Sequence, residues 1–260
     1  MNKFFRTLFV FVILLTSRQV TAQPASMVVY PVNKTPYGLS YRNESAVDKL
    51  NGIADFQAYP PKQTSDNLDE LIQLAHLAQQ ELGTILDNIS IQQNIEAILP
   101  EPKSPQRAAQ KVMNKFDGDA SRITDLARGS LVANNVVDLM TSYQKLTETT
   151  EIIQVKNRFA TPKASGYRDL NVLVKLPQSQ MIVEVQLHLH SIAEIKSGVD
   201  HANYEQIQQI EATAYAARRP LNDIEMQQIT RIRQQSHKQY HKAWLAYKRQ
   251  TVEASFTQAA

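Results

Sequence analysis

The chain has 260 residues, 43% of them hydrophobic, which is enough for one domain of ordinary size plus extensions and too much for a disordered chain. It has no cysteine, which excludes disulfides and thiolate metal sites. Three of its 28 basic residues and none of its 25 acidic ones fall in the first 22 positions; beyond them the signs balance, so overall charge gives no reason to invoke a long nucleic acid or an anionic membrane.

Residues 1–22 read as a secretory signal. Lys3 and Arg6 form a basic start, Leu8 to Leu15 an apolar run, and Val20-Thr21-Ala22 a small-residue cleavage site. The run is too short to span a bilayer comfortably, so the expectation is an exported chain, periplasmic or secreted, cleaved near Ala22. Residues 23–65 are rich in Pro, Asn, Ser and Tyr without periodicity, and an irregular extension is expected there. The folded domain is expected over residues 66–250, with a frayed tail over 251–260.

Asp66 to Ile89 predicts an amphipathic helix, with Leu68, Leu71, Ile72, Ala75, Leu82, Leu86 and Ile89 on one face and Asp66 as N-cap. Ile91 to Leu99 predicts a second, short helix ended by Pro100, Pro102 and Pro105. Gln106 to Phe116 predicts a helix carrying Arg107, Lys111 and Lys115 four apart, a stripe that in isolation reads as a solvated side. A turn at Asp117-Gly118-Asp119 follows, then Arg122, Asp125, Arg128 and Ser130, then an apolar strand over Leu131 to Ala133. Between Lys103 and Arg168 there are eleven Lys/Arg against six Asp/Glu, a local excess that suits a polyphosphate better than a long duplex.

Val136 to Leu146 predicts a helix and Ile152 to Phe159 a strand. Arg168 to Leu176 and Met181 to His190 predict a β-hairpin about a turn at Pro177–Gln180. The second strand alternates strictly. Met181, Val183, Val185, Leu187 and Leu189 point one way; Glu184, Gln186, His188 and His190 point the other, giving one core face and one polar floor. Alone, Glu184 reads as a surface glutamate and Tyr167 as a plug at the sheet edge. His188 and His190 suggest zinc only weakly, with no third ligand in evidence; structural or substrate-contacting histidines fit better. Helices are expected over Ser191 to Lys196, His201 to Arg219 and Asn222 to Arg249, the last with Ile224, Ile229, Ile232, Tyr240, Trp244 and Tyr247 as packing residues.

The stretch Pro162-Lys163, Gly166-Tyr167-Arg168, then Glu184-Val185-Gln186 on the second hairpin strand, resembles the synthetase domain of the RelA/SpoT alarmone synthetases over roughly residues 103–205. The order and spacing of these short motifs are more specific than any one of them. The resemblance implies an α/β (α+β) nucleotidyltransferase-like fold, a mixed sheet flanked by helices. It implies transfer of pyrophosphate from ATP, with Mg²⁺, to the 3′-hydroxyl of GDP or GTP, or of ADP or AMP, or, needing a wider basic surface, to a tRNA 3′ end.

Implied roles follow residue by residue. Glu184 is the base and a metal ligand, and Asp125 is the principal Mg²⁺ ligand. Arg107, Lys111, Lys115 and Arg122 lie on the ATP side. Lys156, Arg158, Lys163 and Arg168 are candidates for acceptor phosphates, Tyr167 for stacking on the acceptor base, and Gln186 and His188 for the floor beside them. Where the family commonly reads Asp-x-x-Gly-x-Arg, this chain has Arg128 at the Gly position and Ser130 at the Arg position; Arg128 is a candidate for the displaced cation. Where the family has Gly-Tyr-Arg-Ser-Leu-His, Asp169 and Asn171 replace Ser and His, which bears on the acceptor. There is no Walker-type glycine loop and no His-Asp dipeptide of the kind alarmone hydrolase domains carry. Export from an ATP-rich cytosol implies action in another cell, as a toxin or effector. The other class left open is a non-catalytic nucleotide-binding module.

Overall fold

The computed structural model describes residues 45–257, with side chains through residue 251. The expected signal segment lies outside the described residues. Seven α-helices are described: α1 (Ala46–Gly52), α2 (Leu68–Gln93), α3 (Pro105–Phe116), α4 (Val136–Thr149), α5 (His190–Ser197), α6 (Val199–Ala216) and α7 (Asp223–Thr257). Six strands form one mixed sheet: β1 (Phe56–Gln57), β2 (Glu96–Ile98), β3 (Arg128–Ala133), β4 (Glu151–Asn157), β5 (Leu170–Lys175) and β6 (Ile182–Leu189), in the order β1-β4-β5-β6-β3-β2. Only β3 and β6 pair in parallel. The mixed α/β architecture agrees with the sequence reading.

Alternation in β5 and β6 builds the sheet's two faces. Leu170, Val172, Val174, Val183, Val185, Leu187 and Leu189 are all buried, in one core with Leu71, Leu82 and Leu86 of α2 and Leu139 and Leu146 of α4. Each such side chain contributes about 1.5–3 kcal/mol of burial. Gly129 lies on this face opposite Val185, where an added Cβ would come 2.4 Å from Leu86 Cδ1. The opposite face carries Lys156, Asn171, Glu184, Gln186, Arg128 and Ser130, aligned across four strands by the register.

Several boundaries differ from expectation. The stretch expected to be irregular holds two regular elements: Ser45 and Asp48 form a capping box for α1, whose Val47 and Leu50 enter the core, and β1 pairs with β4. Asn67, not Asp66, caps α2, because its Oδ1 accepts from the N–H groups of Asp69 and Glu70. The helix expected over Ile91 to Leu99 does not form. α2 runs on to Gln93, Asn94 turns left-handed (φ 51°), and Glu96–Ile98 adds β2 to the edge of β3. The strand predicted from Leu131 begins at Arg128, so Asp125 lies three residues ahead of it. His190 starts α5 instead of ending the strand. α7 continues past Arg249 to Thr257, and its Ile224 is 77% exposed.

The last helix closes one end of the sheet. Tyr240 meets the Tyr167 ring edge-on at 5.7 Å, and Trp244 lies 5.2 Å from Phe159. At Gly166 (φ 80°) a Cβ would come 2.9 Å from His237 Cα, so the helix backbone sits directly on this glycine. Three residues on, Asp169 is fully buried. Arg158 Nη1 donates to both of its carboxylate oxygens, at 2.7 and 3.0 Å, and the Tyr167 hydroxyl donates to Oδ2 at 2.8 Å. Burial holds the Asp169 carboxyl above its ordinary range even though Arg158 and Tyr167 pull the other way.

Two stability predictions follow. Gly129→Ala overpacks the contact with Leu86 and lowers stability by about 1–3 kcal/mol, read as a lower urea midpoint at constant slope; an unchanged midpoint contradicts the packing. Asp169→Asn strips Arg158 of its counter-charge and costs about 3 kcal/mol, and a loss small enough for an exposed ion pair contradicts this role.

Candidate active site

Two clefts open on the polar face, and Glu184 lines both. The first, about 470 Å³, lies between that face, α3 and the loop before β3. Its walls bring six cations together: Lys62, Lys111, Lys115, Arg122, Lys156 and Arg158. Its acids are Asp125 and Glu184. Helical spacing explains Lys111 and Lys115, four residues apart on one face of α3. Phe116 organises the cations further: Lys111 Nζ stands 5.6 Å and the Arg122 guanidinium 5.2 Å from its ring centre. Gln63, in the loop before α2, ties this wall to the floor by donating to the carbonyls of Ile123 and Ile182 and accepting from Ile182 N–H.

Asp125 is held by two lysines. Its Oδ2 lies 2.7 Å from Lys111 Nζ and 3.2 Å from Lys103 Nζ, while its buried Oδ1 has no hydrogen-bond partner. Burial alone would push the carboxyl up, but the two ammonium groups outweigh it and leave the group below its ordinary range. Glu184 Oε1 accepts from Asn171 Nδ2, and from Gln186 Nε2 at 3.3 Å. A buried carboxylate oxygen without a partner, in a cleft shared with a second carboxylate, fits Mg²⁺, which takes one or two carboxylates and completes its shell with phosphate and water. Among the described residues no group of three or more His, Asp or Glu forms a fuller metal cage, at His188 and His190 or elsewhere.

The second cleft, about 620 Å³, is lined by Arg128, Ser130, Gln186, His188 and Lys196 beside Glu184. In parallel register Arg128 stands opposite Glu184 and Ser130 opposite Gln186. His188 is 1% exposed, and burial first, then Lys196 and Arg158, holds its imidazole well below its ordinary range and neutral.

The structure thus brings together most of the residues singled out in the sequence, and sets four apart. Arg107 is exposed in the first turn of α3 and lines neither cleft. Tyr167 is 6% exposed, under Tyr240 and bonded to Asp169, so its ring is not an open platform here. Lys163 covers that ring at 5.1 Å and lines neither of these two clefts. Arg168 packs over Trp244 and donates to the Phe159 carbonyl. Conversely, sequence reasoning missed Lys103, Gln63 and Lys196. Lys103 sits among prolines, and Lys196 reads as a solvated helix residue; neither carries a local signal.

No family model matches the chain, and no curated protein matches it in sequence. Solved structures resemble it in fold. Small alarmone synthetase 1 from Bacillus subtilis, bound to its product pppGpp, is 16% identical with a TM-score of 0.57, over 74% of this chain and 98% of that one. Small alarmone synthetase 2 from Bacillus subtilis is 20% identical with a TM-score of 0.52, over 70% and 98%. The Type VI effector Tas1, in complex with its immunity protein, is 18% identical with a TM-score of 0.50, over 69% and 97%. The chain therefore has the fold of the small alarmone synthetases.

Proposed function

We propose that the protein is an ATP-dependent nucleotide pyrophosphokinase, moving pyrophosphate to the 3′-hydroxyl of a guanine nucleotide or, as an alternative acceptor, an adenine nucleotide. One observation carries the reading: Asp125 and Glu184, 59 positions apart in the sequence, line one cleft whose other charges are six cations. Such a cleft matches a triphosphate and its cation. Fold likeness to a pppGpp-bound synthetase supports the same class of substrate.

In this reading Lys111, Lys115 and Arg122 bind the donor phosphates and Arg158 and Lys156 border the reacting end. Asp125 and Glu184 would hold Mg²⁺, which would offset phosphate charge. Glu184 accepts the proton of the attacking 3′-hydroxyl. The 3′-oxygen bonds to the β-phosphorus, the bond from that phosphorus to the bridging α–β oxygen breaks, and AMP leaves. Both donors to Glu184 converge on Oε1, and Oε2 accepts no hydrogen bond from the described residues, which leaves one oxygen for the proton.

The buried Tyr167 favours a second reading, nucleotide binding without turnover, in which α7 keeps the acceptor position shut. We also propose that an exported chain acts inside a target cell, because ATP is scarce outside cytosol; the fold likeness to the effector Tas1 supports this.

The test mixes purified protein with Mg²⁺, ATP labelled in its β,γ-phosphates, and GDP, GTP, ADP, AMP or uncharged tRNA. Label is expected on a guanine or adenine nucleotide, and Glu184→Gln is expected to lower the rate about 10²–10⁴-fold. No transfer to any acceptor contradicts the reading; binding without transfer selects the second one. Cytosolic expression of residues 23–260 is expected to arrest growth and the Glu184→Gln variant to spare it; harmless expression of active enzyme contradicts the effector role.

A further inference from the structure

Lys196 takes part in none of the roles above. It lies on α5, which begins at the residue immediately after β6, so the helix is rigidly coupled to the strand that carries Glu184. Ile192, fully buried, anchors α5 on the core. The lysine turns back over the floor: its Nζ is 2.7 Å from Gln186 Oε1 and 3.2 Å from His188 Nε2. Lys196 is half-buried, and even partial burial of an ammonium group is costly without a partner of opposite sign, yet within 4.0 Å it makes no ion pair to a described residue. Its hydrogen-bond partners are two neutral acceptors in the row that begins at Glu184, and its Nζ also stands 5.9 Å from the centre of the Tyr167 ring.

An amide side chain has an acceptor end and a donor end. Lys196 offers Gln186 only donors, so the amide oxygen must face Lys196. The NH₂ end then faces Glu184, where Nε2 is 3.3 Å from Oε1. Without the lysine, the amide could turn its oxygen toward the carboxylate, and the two acceptors would repel. His188, neutral through burial, can accept from Lys196 at Nε2 without opposing its charge.

Resting on the pyrophosphokinase reading, we propose that Lys196 is a positioning residue for Glu184: it locks the Gln186 amide so that Gln186 and Asn171 together hold Glu184 Oε1, leaving Oε2 at the junction of the two clefts. The rival role, direct contact of Lys196 with substrate in the larger cleft, predicts different kinetics.

The test is a double-mutant cycle on the full chain, read by pyrophosphate transfer. Lys196→Met is expected to lower kcat about 10–100-fold with KM for both nucleotides changed by less than about twofold. Lys196→Arg, which also carries only donors, is expected to recover most of the loss. In a Gln186→Leu background, Lys196→Met is expected to cost less than about twofold more, because the lever it acts through is gone. Multiplicative losses, or a rise in KM with kcat kept, overturn the proposal in favour of substrate contact. A readout without catalysis separates this from the parent reading: the Gln186 side-chain NH₂, assigned by its loss in Gln186→Leu, should exchange slowly with solvent in the folded wild type. Exchange as fast as an exposed amide overturns the tether whether or not any transfer is seen. Slow exchange together with no transfer keeps the tether and removes the parent reading.

Discussion

Everything at the site depends on the pairing of β6 between β3 and β5. Strand side chains alternate, so one strand can be wall and floor at once. Val183, Val185, Leu187 and Leu189 are fully buried, and that burial fixes which way Glu184, Gln186 and His188 point. A slip of one residue would expose four core side chains and bury a carboxylate. The parallel pairing to β3 then sets Arg128 beside Glu184 and brings the loop carrying Asp125 to the same end of the sheet. The site is therefore a consequence of hydrophobic register, and the apolar face of the hairpin does as much for the chemistry as the polar one.

Electrostatics acts within that frame. Six cations around two carboxylates make a cleft poised for an anion. Asp125 is the interior reference point of that field: Lys103 and Lys111 hold it charged despite burial. On the far side of Glu184 the pattern changes. There His188 is buried and Lys196 half-buried, and polar contacts are made to neutral partners. The two clefts thus differ in kind, one cationic and one a hydrogen-bonded row, and Glu184 is where they meet.

Much of this was legible in the sequence, for physical reasons. The hairpin was, because period-two alternation survives any tertiary context. α3 and its cationic stripe were, because helical spacing places Lys111 and Lys115 on one side. Asp125 and Glu184 could be paired only through the resemblance, since residues so distant in sequence converge through topology, not periodicity. What escaped were contacts made by one side chain with no pattern around it. Lys196 reaches back ten positions to Gln186, and Gln63 crosses from a loop to β6. The same limit explains Tyr167. Its motif resembles a stacking site, but whether α7 covers the ring depends on Tyr240, some seventy residues later. The short strand β2 was read as helix because a few apolar residues after a helix carry both periods equally well, and the left-handed turn at Asn94 decided between them.

We propose that the carboxylates of residues 125 and 184 share one divalent cation with the donor's phosphates. Crystals grown with Mn²⁺ and a non-hydrolysable ATP analogue test it most directly, since anomalous scattering locates the ion without ambiguity. One anomalous peak is expected in the cationic cleft, ligated by Asp125, Glu184 and phosphate oxygens. A nucleotide bound there with the ion touching neither carboxylate would contradict it.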